Sequence, residues 1–141
     1  MGMKISVRVL ALALMALSVC AAVAAAAEIG KRASVKAGET VLVTTHKNWT
    51  RSCGSAVRPP ITITSEPQGG TIELKPGDYE IEGVRHLGAD SSCFGKIVPG
   101  TGVYYTARPD FKGEDSFRYT VRLGLDKGST DYDYVVRVKV Q

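Results

Sequence analysis

Seventeen residues, Tyr105 to Val121, constrain the fold of this chain more than any other stretch. Beyond a turn at Gly113, Phe117, Tyr119, Val121 and Leu123 alternate with Ser116, Arg118, Thr120 and Arg122, the period of a strand with one face buried and one in water. A helix is excluded there, because alternate residues would not share a helical face. The whole stretch reads as one strand, a tight corner and a second strand of a β-sandwich.

The spacing Asp115-x-x-x-Tyr119 is that of a tyrosine corner, in which the Tyr hydroxyl bonds back to backbone a few residues upstream. Val121 stands where antibody domains carry a Cys, so any disulfide must lie elsewhere. The full run resembles the bacterial Ig-like and cadherin-like repeats of surface proteins. Pro67 to Ile72 is similar to the middle strand of those repeats and Tyr132 to Val140 to their closing strand, so the resemblance extends over Ile61 to Val140. The family's Pro is displaced from the third motif position, here Ala107, to Pro109, and this chain has room for one copy of a unit that usually occurs in many. The resemblance implies an immunoglobulin-like antiparallel β-sandwich. It further implies a noncatalytic module for binding or assembly at the cell envelope or outside the cell, with a protein or a surface glycan as partner.

Residues Met1 to Ala27 carry Lys4 and Arg8, then an apolar run broken only by Ser18, and end in Ala25-Ala26-Ala27. This is the pattern of a secretory signal peptide. Leu17-Ser18-Val19-Cys20 is close to a lipobox, but Val19 occupies a position that motif reserves for a small residue. Removing 27 of the 141 residues leaves 114, the size of one domain spanning 28–141. The net charge of +4 falls to +2 once Lys4 and Arg8 leave, with acids and bases interspersed, so nothing marks a nucleic-acid partner. Cys53 and Cys93 remain as an even pair in an exported chain and are expected to form one disulfide.

Along the mature chain, Thr40 to Thr45 reads as a strand of β-branched residues and His46 to Pro60 as a long loop or distorted edge. Ile61 to Thr64 and Thr71 to Lys75 both alternate and are separated by Glu66-Pro67-Gln68-Gly69-Gly70, which predicts a hairpin. Pro76-Gly77-Asp78 predicts a further turn. The segment Gly83 to Gly102 reads as a second irregular excursion containing Cys93, so the disulfide would join two loops. A closing hairpin links Leu123 to Tyr132 through Gly124 to Thr130, with Val135 the one apolar residue on its outward face.

No catalytic constellation emerges. His46 and His86 are the available bases, but neither accompanies a nucleophile motif; His46 is expected in solvent at a strand end, and a small enzyme is the remotest reading. Asp110, Glu114 and Asp115, with Asp131 and Asp133 on the neighbouring hairpin, are weak calcium candidates. The simpler expectation is that Asp110 and Asp115 cap turn amides while the others face water. No cofactor is implied. Asn48-Trp49-Thr50 has the form of a glycosylation sequon. More informative is the grouping of His46, Lys47, Trp49, Arg51 and Arg58, which surrounds the only Trp with basic side chains, the residue types of binding hot spots. The alternative is that Trp49 packs over the disulfide as a plug, leaving Lys47 and Arg51 outward. An alternative function to binding or assembly is inhibition of an extracellular or periplasmic hydrolase, with Lys47 or Arg51 inserted into its cleft.

Overall fold

The computed structural model describes residues 27–82, 93–124 and 129–141; His86 and the expected signal peptide up to Ala26 lie outside the described residues. These contain seven strands and no helix: β1 (Ile29–Val35), β2 (Thr40–Lys47), β3 (Ile61–Ser65), β4 (Gly70–Glu80), β5 (Ile97–Ala107), β6 (Gly113–Leu123) and β7 (Thr130–Val140). They form a four-stranded sheet in the order β1-β7-β6-β3 and a three-stranded sheet in the order β2-β5-β4. All pairings are antiparallel except β1 with β7, which is parallel.

The core lies between the two sheets because β5, β6 and β7 each send alternate large side chains inward. Val103 and Tyr105 of β5 meet Phe117, Tyr119 and Val121 of β6 and Tyr134, Val136 and Val138 of β7, all buried. The aromatic rings form a ladder: Tyr105 to Phe117 at 6.1 Å, Phe117 to Tyr119 at 6.1 Å and Tyr119 to Tyr134 at 5.0 Å between centroids. Each such pair adds about 0.5–1.5 kcal/mol to the area term. In the β6–β7 hairpin Phe117 is opposite Val136 and Leu123 opposite Thr130, so β7 begins at a residue expected in the connecting loop. Val135 is on the outer face yet only 8 % exposed; its strand is flanked on both sides, by Gly30 of β1 and Arg118 of β6.

Three local expectations are overturned. β3 and β4 are not a hairpin: β3 pairs with β6 and β4 with β5, in different sheets. The Glu66 to Gly69 turn carries the chain across the sandwich, held by Asp115, whose carboxylate accepts the amides of Gln68 at 3.0 Å and Gly69 at 2.7 Å. Pro76-Gly77-Asp78 is not a turn either, since β4 runs straight through it, paired with β5 from Gly70 opposite Ala107 to Glu80 opposite Ile97. Pro76 is tolerated because β4 is an edge strand. Finally, the second excursion is shorter than expected, because β5 already begins at Ile97.

Strand β2 continues to Lys47 and contains a bulge between Leu42 and Thr44. One extra residue on one strand reverses which side chains face inward beyond it. Val41 and Val43 pack on the core, whereas after the bulge His46 is turned in, 5 % exposed. Lys47 and Trp49 are thereby directed to the outer face.

Candidate functional site at the stapled end

Cys53 and Cys93 are bonded, with Cα atoms 5.2 Å apart. Cys53 lies in a small hairpin closed by Trp49 bridged to Ser55. The Cys53 amide donates to the Thr50 carbonyl at 2.9 Å and the Thr50 amide to the Gly54 carbonyl at 3.1 Å. The Thr50 hydroxyl also accepts the Gly54 amide at 2.9 Å. This is a tight turn followed by a left-handed residue, the usual form of a three-residue hairpin loop, in which that last position normally belongs to Gly. Here it is Cys53, with φ +62°, a conformation that costs a non-Gly residue about 1–2 kcal/mol. Arg51 and Ser52 form the tip and are exposed.

Behind the hairpin is a satellite core of Ile81, Cys93 and Val98, each 1 % exposed, with Trp49 and Cys53 packed against it. Tyr79 pairs with Val98 and Lys47 with Gly100, and cross-strand partners share a face. The satellite core therefore covers one end of the outer face of the β2-β5-β4 sheet. Trp49 is half-buried there, in contact with the cluster that holds the disulfide. Trp49→Ala should lower stability by about 2–3 kcal/mol by opening a cavity behind the hairpin. Denaturant unfolding checks this; an unchanged midpoint would contradict the packing.

Of the five basic and aromatic candidates, His46 is separated from the rest, while Lys47 and Arg58 meet at Gly100 beside the Trp49 cluster. His46, expected in solvent, is in the main core: the bulge turns it inward, where Nε2 lies 3.0 Å from the Tyr119 hydroxyl and its ring meets Tyr134 edge-on at 4.8 Å. Lys47 is half-buried on the outer face and bonds the Thr45 hydroxyl at 2.7 Å. Its burial lowers the ammonium below the ordinary lysine range, while Glu82 and Glu80 act in the opposite direction. Arg51 is exposed at the hairpin tip, as expected of an outward charge. Arg58 is exposed and donates to the Gly100 carbonyl at 3.2 Å.

The tyrosine corner is corrected as well. Among the described residues the Tyr119 hydroxyl meets His46 across the sandwich and no upstream backbone. The corner is tied instead by Tyr105, whose hydroxyl donates to Asp115 at 2.8 Å. Tyr119→Phe should cost about 1–3 kcal/mol because the buried imidazole loses this partner. Arg118, exposed and ion-paired with Glu28, should cost less than about 1 kcal/mol when changed to Ala. Equal effects of the two substitutions would contradict the assigned faces.

Asn48, of the sequon, is a structural clip that sequence reasoning missed. It is 7 % exposed, donates to the carbonyls of Val57 at 3.1 Å and Gly124 at 3.2 Å, and accepts the Gly124 amide at 3.1 Å. The stapled segment is thus sewn to the end of β6. The only signal for it was an Asn two residues beyond an inward His, legible only once the bulge is known.

The acidic candidates separate into structural roles. Burial would raise the Asp115 carboxyl, but bonds from Tyr105 and the amides of Gln68, Gly69 and Ser116 outweigh it and hold the carboxyl below the ordinary aspartate range. It lies at an open cleft of about 450 Å³ lined also by Glu66, Glu114 and Arg137. Asp110 pairs with Arg108, Asp131 with Arg122 through two bonds, and Asp133 with the Thr120 hydroxyl. Asp115 is opposite Val138, seven positions from Asp131 along β7, or roughly 23 Å at strand rise. The two acid groups therefore sit at opposite ends of the hairpin. Among the described residues no group of three or more His, Cys, Asp or Glu side chains could hold a metal ion, and no helix is long and apolar enough to cross a membrane.

No family model matches the chain, and no curated protein matches it. Among solved structures, the solution structure of Amebosin is similar at a TM-score of 0.42 and 13 % identity, over 82 % of this chain and 100 % of that one. A likeness at that TM-score carries no weight for fold or function. What stands on the residues themselves is an all-β, two-sheet domain with one disulfide, a bond that belongs to an oxidising environment.

Proposed function

We propose that this chain is an exported, noncatalytic immunoglobulin-like module that binds a protein of the cell envelope or extracellular space through its stapled hairpin. The fold part of this reading is supported by strand order. An Ig sandwich has the second, fifth and fourth strands in one sheet and the third, sixth and seventh in the other, the same division as β2-β5-β4 and β3-β6-β7. The first strand lies here beside β7. Export is supported by the signal-like leader and by the disulfide.

The observation that carries the binding reading is the hairpin itself. Arg51 and Ser52 project from a turn whose neck is fixed by a disulfide, by the Thr50 bonds and by the Asn48 clip. A stiff exposed loop loses little entropy on binding, and loops on a rigid sandwich carry recognition without disturbing the core. Insertion into a protease cleft is less favoured. Arg51 occupies a tight turn rather than an extended segment, and Lys47 is half-buried.

The test is capture of envelope and secreted proteins by the mature domain and by an Arg51→Ala, Ser52→Ala variant. Retention of one protein by the native hairpin and its loss with the variant supports the reading. Equal retention by both, or inhibition of a protease or wall hydrolase as the sole effect, overturns it.

A further inference from the structure

Charge divides the outer face of the β1-β7-β6-β3 sheet into two halves. In one half each charged side chain has a partner: Arg122 holds Asp131 through two bonds, Asp133 accepts from the Thr120 hydroxyl, and Arg118 pairs with Glu28. In the other half Arg32 of β1 lies directly opposite Arg137 of β7. Lys139, the next outward residue of β7, follows roughly 7 Å along the strand. All three are exposed, and among the described residues none of them has an ion pair.

Like charges set directly opposite one another destabilise a pair of strands, and here nothing in the domain offsets the cost. An external anion would. Neighbouring strands are about 4.8 Å apart, so the two guanidiniums can close on one oxyanion from both sides, each with a fork of N–H donors. A carboxylate has two oxygens, which a single fork already takes. A phosphate has three to share between the two arginines. Ser116, exposed on β6 opposite Arg137, extends the row of donors by a hydroxyl.

The borders limit what the site can take. On the β6 side, Glu114 is opposite Lys139, and Glu66 and Glu114 line the open cleft beside Arg137. Towards the paired half, the next outward residue of β7 is Val135, which carries no charge. An anion is therefore confined to a narrow strip over β1 and β7, long enough for a second anionic group to meet Lys139. Attachment to an anionic lipid surface takes about four to eight basic residues, more than this strip supplies, so a soluble chain is the better fit.

We infer that Arg32, Arg137 and Lys139 form a binding site for neighbouring phosphate groups of a soluble, phosphate-bearing chain. The site shares no residue with the stapled hairpin and stands whether or not the hairpin binds a protein.

The experiment titrates the mature domain with inorganic tripolyphosphate and with orthophosphate at fixed ionic strength, following amide shifts by NMR. Tripolyphosphate should bind about tenfold more tightly than orthophosphate, because it reaches Lys139 as well as the arginines. Its shifts should centre on Arg32, Arg137 and Lys139. Arg32→Gln and Arg137→Gln should each weaken it about fivefold, and Glu114→Gln should strengthen it about twofold by removing a neighbouring negative charge. Arg122→Gln removes the same charge from the paired half and should leave binding within about twofold. Absence of tripolyphosphate binding overturns the proposal. So does an equal loss with Arg122→Gln, which would show attraction to net charge alone. Retention on phosphatidylglycerol vesicles without binding of tripolyphosphate also overturns it, in favour of a lipid surface.

Discussion

Asp115→Ala is expected to destabilise the domain by about 2–4 kcal/mol, because the substitution orphans two buried donors and two part-buried ones at once. The carboxylate accepts the Tyr105 hydroxyl at 2.8 Å and the amides of Gln68, Gly69 and Ser116 at 3.0, 2.7 and 2.8 Å. These bonds connect β6 to β5 and to the crossover between the sheets, so their loss frees the crossover as well as the donors. Asp115→Asn keeps the shape but offers donors where backbone amides also donate, and should cost about 1–3 kcal/mol.

A pH signature accompanies the loss. The folded carboxyl titrates below its ordinary value of 3.8, so its contribution is complete above that value and disappears as pH falls through the lower folded one. Native protein should therefore lose stability on acidification below about pH 4 more steeply than Asp115→Asn does. Parallel acid limbs for the two proteins, followed by denaturant midpoint, would contradict the role given to Asp115.

Removal of the disulfide is the second large effect. Cys53 and Cys93 are 40 residues apart, and opening a loop of that length should cost about 4 kcal/mol on the chain-entropy model. In a Cys53→Ser, Cys93→Ser variant the damage should be local at first. The satellite core of Ile81 and Val98 loses its cover, while β6 and β7, buried in the main core, keep their amide protection. Replacing Cys53 by Gly instead of Ser should recover about 1 kcal/mol, since the left-handed conformation suits Gly. Hydrogen exchange read by mass spectrometry separates the cases: uniform loss of protection over both sheets would show that the staple holds the whole sandwich.

The β6–β7 hairpin was legible in the sequence because both strands have one face on the core and one in water, and the alternation of Phe117, Tyr119 and Val121 with charged or hydroxyl residues records that directly. The disulfide was legible from cysteine count. The link from β3 to β4 was not, because two alternating runs around a Pro-Gly turn suit a hairpin and a crossing between layers equally well. What decides is Asp115, 46 residues beyond Gly69, an acceptor that local pattern does not contain. Pro76-Gly77 misled in the opposite sense: a strong turn signal was overridden by pairing with β5, where Tyr79 lies against Gly100 and Gly102. His46 was misplaced by parity alone. The bulge near Val43 reverses the strand's faces, and one extra residue in a β-branched run leaves no mark in composition or period. The same shift buries Asn48, so the grouping of basic residues around Trp49 loses its His to the core, while Lys47 and Arg58 stay together at Gly100.

Site-specific photo-crosslinking in the living source cell tests the binding account most directly. A photoreactive residue at Ser52, on the hairpin tip, is compared with one at Arg118, exposed on the outer face of the other sheet. The account predicts one discrete crosslinked protein from position 52, absent from position 118 and absent when Arg51 is also changed to Ala. The same product from both positions, or none from position 52, would contradict a protein partner held by the stapled hairpin.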